Sequence, residues 1–165
     1  PGLNVVFLHL RQPQVTAADI PLILERLTAA LQGVSSVYDT DLLRPIIGEI
    51  ERISGRAYVG GMVDEDAPFR VIADHARSVT MLMADGVLPA NEGRGYVLKR
   101  IIRRGMRYAR QLGIEGPVLH KLVPGVVASF AGVHFTPADL LEAGSEIQTV
   151  CSSFFFAVAA IDIER

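Results

Sequence analysis

The chain has 165 residues, half of them apolar, with a formal charge of −2, one cysteine and no tryptophan. That is the length of one ordinary domain with enough apolar content for a real core, and the lone Cys151 excludes an internal disulfide framework and suits a reducing, cytoplasmic setting. No cysteine–histidine set has metal-site spacing, no basic-then-apolar N-terminal segment reads as a signal peptide, and the apolar run 150–161, interrupted by two serines, is too short to span a bilayer.

Residues 3–10 are rich in β-branched and aromatic side chains and read as one strand, bounded by Pro1-Gly2 and Pro13. A single strand leaves its edges unpaired, so it pairs with another chain or belongs to a larger sheet. Everything after it reads as helix. Asp19 can cap a helix whose first residue is Pro21 and which runs through Leu24, Leu27 and Leu31 to Gly33. Asp39 or Thr40 starts the next, with Leu42, Leu43, Ile46, Ile47, Ile50 and Ile53 inward and Gly55 beyond its end. Pro45 is tolerable only near the first turns, so that start is late or kinked. Residues 56–67, with Gly60-Gly61 and the acids Asp64, Glu65 and Asp66, read as a loop. A third helix over 68–85 ends at Gly86, and a basic helix follows and stops at Gly113. Residues 117–130 form a fifth, broken or bent at Pro124-Gly125. Thr136-Pro137 opens a last helix, as a cap and first-position pair. The fold class is mainly α, a multi-helix domain with a short N-terminal strand.

The basic helix is the most informative element. Seven of the sixteen basic residues lie between Arg94 and Arg110. At about 100° per residue, Val97, Leu98, Ile101, Ile102, Gly105, Tyr108, Ala109 and Leu112 share one arc. Lys99, Arg100, Arg103, Arg104, Arg107 and Arg110 share the opposite arc, with no acid among them. A solvated helix face usually mixes Glu with Lys, whereas a purely cationic one points to a polyanion. Arginine supplies a fixed fork of donors that fits phosphate oxygens. Gly93-Arg94-Gly95 at the helix entrance adds backbone N–H groups that suit a phosphate.

The segments Leu24-Glu25-Arg26, Tyr38-Asp39-Thr40-Asp41-Leu42-Leu43-Arg44-Pro45, Phe69-Arg70-Val71-Ile72-Ala73-Asp74-His75, Ala84-Asp85-Gly86-Val87-Leu88-Pro89 and Asn91-Glu92-Gly93-Arg94-Gly95-Tyr96-Val97-Leu98 occur in order along the chain, followed by Lys121-Leu122-Val123-Pro124. In this they resemble the alanyl-tRNA synthetases, in the region just after the class II catalytic core. The resemblance implies a C-terminal remnant of that core over residues 1–33, a strand plus a helix like the third class II motif. It implies a helical tRNA-recognition domain over 34–165, binding the acceptor stem of alanine tRNA and reading its G·U wobble pair. Asn91 matches the residue that hydrogen-bonds the wobble pair, with Arg94, Lys99, Arg100, Arg103, Arg104 and Arg107 as phosphate contacts. The partners implied are the acceptor stem and, for a fragment, the rest of the catalytic core; ATP with Mg serves the parent reaction, and this chain needs no cofactor of its own.

The departures from that family bear on catalysis. Arg26 stands where the ATP-phosphate arginine would be and Asp19 where the ligand of the alanine amine would be, but Pro21 and Ile23 replace family glycines. The first two motifs and the downstream aspartate that also reads G·U have no counterpart. No catalytic residue is therefore expected, and the alternative is an inactive free-standing paralogue or interaction scaffold. The Phe154-Phe155-Phe156 segment would then mark a partner or self-association face. Asp74-His75 reads as a helix-packing histidine making one hydrogen bond rather than a metal or acid–base pair, Asp64 to Asp66 as solvated acids, and Cys151 as buried.

Overall fold

The computed structural model describes residues 19–60, 63–130 and 136–163, with side chains over 24–60, 63–129 and 136–153. Among these residues the fold is helical throughout: α1 (Asp19–Gln32), α2 (Arg44–Ser54), α3 (Ala67–Ala84), α4 (Gly93–Gln111), α5 (Val123–Phe130) and α6 (Pro137–Ile163), with 3-10 turns at Val37–Asp39, Asp64–Asp66 and Leu119–Leu122. The strand expected over 3–10 and the side chains of Phe154, Phe155 and Phe156 lie outside the described residues.

α3 is the hub. Phe69, Ile72, Ala73, Ala76, Val79, Thr80 and Met83 are all buried, a spacing that sets them on one arc of about 120° along the helix. It packs against α4, α6, α5 and α2. α2 contributes Ile46, Ile47 and Ile50, and α6 contributes Leu140, Ala143, Ile147 and Cys151 at the same helical period. α5 lies close enough to α2 that a Cβ on Gly125 would stand 3.0 Å from the Ile46 Cα. Burial pushes the Cys151 thiol up to about 12, so it packs as a small hydrophobe.

Two boundaries and one loop differ from expectation. α2 starts at Arg44, not at Asp39 or Thr40, since Pro45 lacks an N–H and fits only the first helical positions. The preceding residues instead form a 3-10 turn fixed by a 2.6 Å bond from the Thr40 hydroxyl to the Val37 carbonyl. The fifth helix is confined to Val123–Phe130, which puts Pro124 in its first turn. Finally, the acids 64–66 are not simply solvated. Asp66 is 2% exposed, and its Oδ2 accepts the backbone N–H groups of Val59 and Gly60 at 3.0 and 2.9 Å. It pins the loop that enters α3.

α1 stands apart. Only Ala29 among its described side chains is buried, while Leu24, Leu27 and Leu31 are exposed, Leu31 at 79%. Polar ties hold it. Glu25 pairs with Arg77 of α3 at 2.5 Å, and Gln32 donates to Asp41 at 2.6 Å.

Candidate nucleic-acid interface

α4 is seated by its buried residues Gly95, Leu98, Ile102, Gly105 and Ala109, which fall on one side of the helix. That stripe is narrower than the expected apolar arc. Ile101 and Tyr108 sit at its edge, half-buried, and Val97 is 55% exposed. The first turn is locked by close approach at Gly95. A Cβ there would lie 2.7 Å from both the N and the Cβ of Ala90, and closer still to the Leu88 carbonyl. Only glycine lets the 88–90 loop lie across the start of this helix. At the other end Gly113 takes φ 83, and Ile114 N–H closes on the Ala109 carbonyl at 3.0 Å.

The opposite face is cationic. Arg100, Arg103, Arg104, Arg107 and Arg110 are exposed there and Lys99 is half-buried, while Arg94, also exposed, lies off this face in the first turn. Arg100, Arg103, Arg104 and Arg107 line one groove of about 490 Å³ together with Val97, Ile101 and His75. Their Cα atoms span about 10 Å of helix axis at the standard rise. Guanidinium groups so close raise the local potential well above what the net charge suggests. Two arginines also lie near aromatic rings: Arg100 is 5.9 Å from the Tyr96 centroid and Arg104 5.9 Å from that of Tyr108.

At the N-terminal end, Lys99 Nζ donates to Asn91 Oδ1 at 2.8 Å. The pair ties the loop tip to the second turn of α4 and leaves the Asn91 amide hydrogens available to an acceptor. Asn91 is exposed, and it sits at the helix terminus that carries the positive end of the macrodipole. Of the two remaining candidates, Arg26 is exposed on α1, and Asp19 is the first residue of that helix with its side chain outside the described residues.

Asp74 and His75 do not act together, because consecutive residues on a helix point about 100° apart. Asp74 Oδ2 accepts from the Tyr38 hydroxyl at 2.6 Å, and Asp74 Oδ1 lies 3.6 Å from Arg77. Burial and the Asp74 carboxylate hold the Tyr38 phenol well above its ordinary range. His75 instead faces the arginine groove. Its Nε2 is buried without a hydrogen-bond partner, contrary to the one bond expected of it. Burial and then Arg104 push its pKa down, which keeps the imidazole neutral. Among the described residues no three His, Cys, Asp or Glu side chains gather as a metal-binding group, and no helix is long and apolar enough to cross a membrane.

The sequence reading missed Tyr96. Extending the helical projection by one residue places it between Arg103 and Arg107, inside the basic arc, and it is 44% exposed.

The sequence model of the family described as tRNA synthetases class II (A) matches residues 9–153. Alanine–tRNA ligases of Bacillus cytotoxicus and Bacillus thuringiensis are each 52% identical to this chain over 103 residues, 62% of this chain. The matched region spans only 12% of the length of each relative.

Proposed function

This chain belongs to the class II (A) tRNA synthetases, and from that we propose that it is the tRNA-recognition region of an alanyl-tRNA synthetase, binding the acceptor stem of alanine tRNA and reading its G·U pair in the cytoplasm. The observation that carries the reading is α4, whose exposed cationic groove runs away from a loop tip that holds Asn91. In this reading Arg94, Lys99, Arg100, Arg103, Arg104 and Arg107 grip phosphates, which sets register and most of the affinity. Asn91 then offers its amide to the base edges of the wobble pair, and Lys99 fixes which way that amide turns. Residues 1–33 would be the end of a catalytic core and 34–165 the recognition domain. Aminoacylation, with its ATP and Mg, belongs to the remainder of such a protein. Asp19 and Arg26 are its remnants, and this chain alone is inactive.

The exposed leucines of α1 favour one second reading, an inactive free-standing paralogue or scaffold that presents the same helices to a protein partner. Binding of acceptor-stem microhelices decides between the two. The G·U stem is expected to bind more tightly than its G·C counterpart, and Asn91→Ala to narrow that preference by about 1–3 kcal/mol at most. A chain that binds neither stem contradicts the tRNA reading. A G·U preference undiminished in Asn91→Ala contradicts the role given to that residue.

A further inference from the structure

Tyr96 has no part in the reading above, and packing does not explain it. Tyr108, whose ring stands 5.9 Å from Arg104, is half-buried against the core. The Tyr96 ring stands at the same distance from Arg100 but is exposed, with exposed Leu88 and Val97 nearby in sequence. The turn that carries it is nonetheless held firmly. Its N–H donates to the Glu92 carbonyl at 3.2 Å, Gly95 seats the 88–90 loop against the helix, and Lys99 ties down Asn91. An aromatic side chain on a fixed turn, in the middle of a cationic face, is preorganised for a nucleotide.

We propose that Tyr96 is an RNA-selecting contact: its ring packs on a ribose and its hydroxyl hydrogen-bonds the 2′-hydroxyl of a nucleotide whose phosphate Arg100 holds. The inference rests on the RNA reading of α4 and names a residue that reading leaves out. The chemistry matches in kind, since phenol and 2′-hydroxyl groups each donate and accept. The 2′-hydroxyl is also the group that separates RNA from DNA. Arg100 supplies the adjoining charge but cannot sense that hydroxyl's absence through a phosphate contact alone.

The test measures binding of the chain to a set of acceptor-stem RNA microhelices, each carrying one 2′-deoxy nucleotide, alongside the all-RNA stem. One stem position is expected to lose about three- to tenfold in affinity when deoxygenated, the size of one net hydrogen bond. Tyr96→Phe should lose the same factor on the all-RNA stem and nothing further on that deoxy stem. Tyr96→Ala should lose about tenfold or more on both, because the apolar packing of the ring on the ribose is gone as well. All three proteins should melt alike, since the side chain is exposed. Additive losses in Tyr96→Phe, or no loss at all, overturn the proposal while leaving the RNA reading intact. Failure of the unaltered chain to bind the all-RNA stem overturns both.

Discussion

α4 places Leu98, Ile102 and Ala109 in the core, whereas α1 holds Leu24, Leu27 and Leu31 out to solvent. Both helices carry their apolar residues at helical spacing. The difference lies in what each faces. α4 packs closely on α3: at Gly105 an added Cβ would lie 3.4 Å from the His75 Cβ. α1 meets α3 through an ion pair, Glu25 with Arg77, and meets the 40–43 turn through Gln32 and Asp41. Apolar spacing makes a stripe; burying it takes a complementary surface.

The largest effect expected from this contrast is on stability. Leu98→Ala or Ile102→Ala should destabilise the chain by about 2–5 kcal/mol, through lost burial and the cavity left behind. Leu27→Ala and Leu31→Ala should stay within about 0.5 kcal/mol, as exposed substitutions do. Denaturant melts that rank the two pairs equally would break the comparison.

A smaller effect separates the two contacts by acid. His75 lies at the α3–α4 contact and His120 in the Leu119–Leu122 turn, each pushed below the ordinary histidine range, by burial first and then by Arg104 and Lys121 respectively. The unfolded chain therefore binds protons more readily than the folded one. Their contribution is whole above about pH 6.5, the unperturbed value, and is lost as pH falls below it. The melting temperature should drop between about pH 7 and pH 5.5, and less so in His75→Leu. A melting temperature that rises over this range would mean the imidazoles find partners when charged.

The smallest effect concerns salt. Glu25 and Arg77 are partly exposed, so their pair contributes about 1 kcal/mol or less and weakens as ionic strength rises. Amide exchange in α1 should quicken between about 0.1 and 1 M salt while exchange in α4 stays unchanged. Equal response in the two helices would show that α1 is held by apolar contact after all.

How far the sequence could be read follows the same division. Helix number among the described residues, the stops at Gly55 and Gly113, and the inward faces of α2 and, Val97 apart, of α4 were legible, because period and terminal chemistry are local properties. The start of α2 and the bend before α5 were legible only in part. Pro45 and Pro124 mark where a helix cannot continue without fixing where it begins. The buried role of Asp66 was not legible, since it depends on the Val59–Gly60 backbone folding back over it. In the candidate site the cations of α4 were found from their spacing alone. The Lys99–Asn91 bond bridges eight residues across the helix entrance, and neither it nor the His75 position beneath the arginines has a signature in either segment alone. Tyr96 was missed for a simpler reason, because the helical projection began one residue after it.

The central claim is that the arginine face of α4 grips phosphate. Its most direct test is the salt dependence of acceptor-stem binding for the unaltered chain and for Arg100→Gln/Arg103→Gln/Arg107→Gln, a change that keeps helix propensity while removing three cations. If each arginine meets one phosphate, the log–log slope should be shallower by about 0.9 per contact, roughly 2 to 3 in all. The loss should be nearly the same for G·U and G·C stems, since phosphate contacts carry no sequence information directly. An unchanged slope in a variant that melts normally would contradict the account, and the cationic face of α4 would then be no more than a solvated surface.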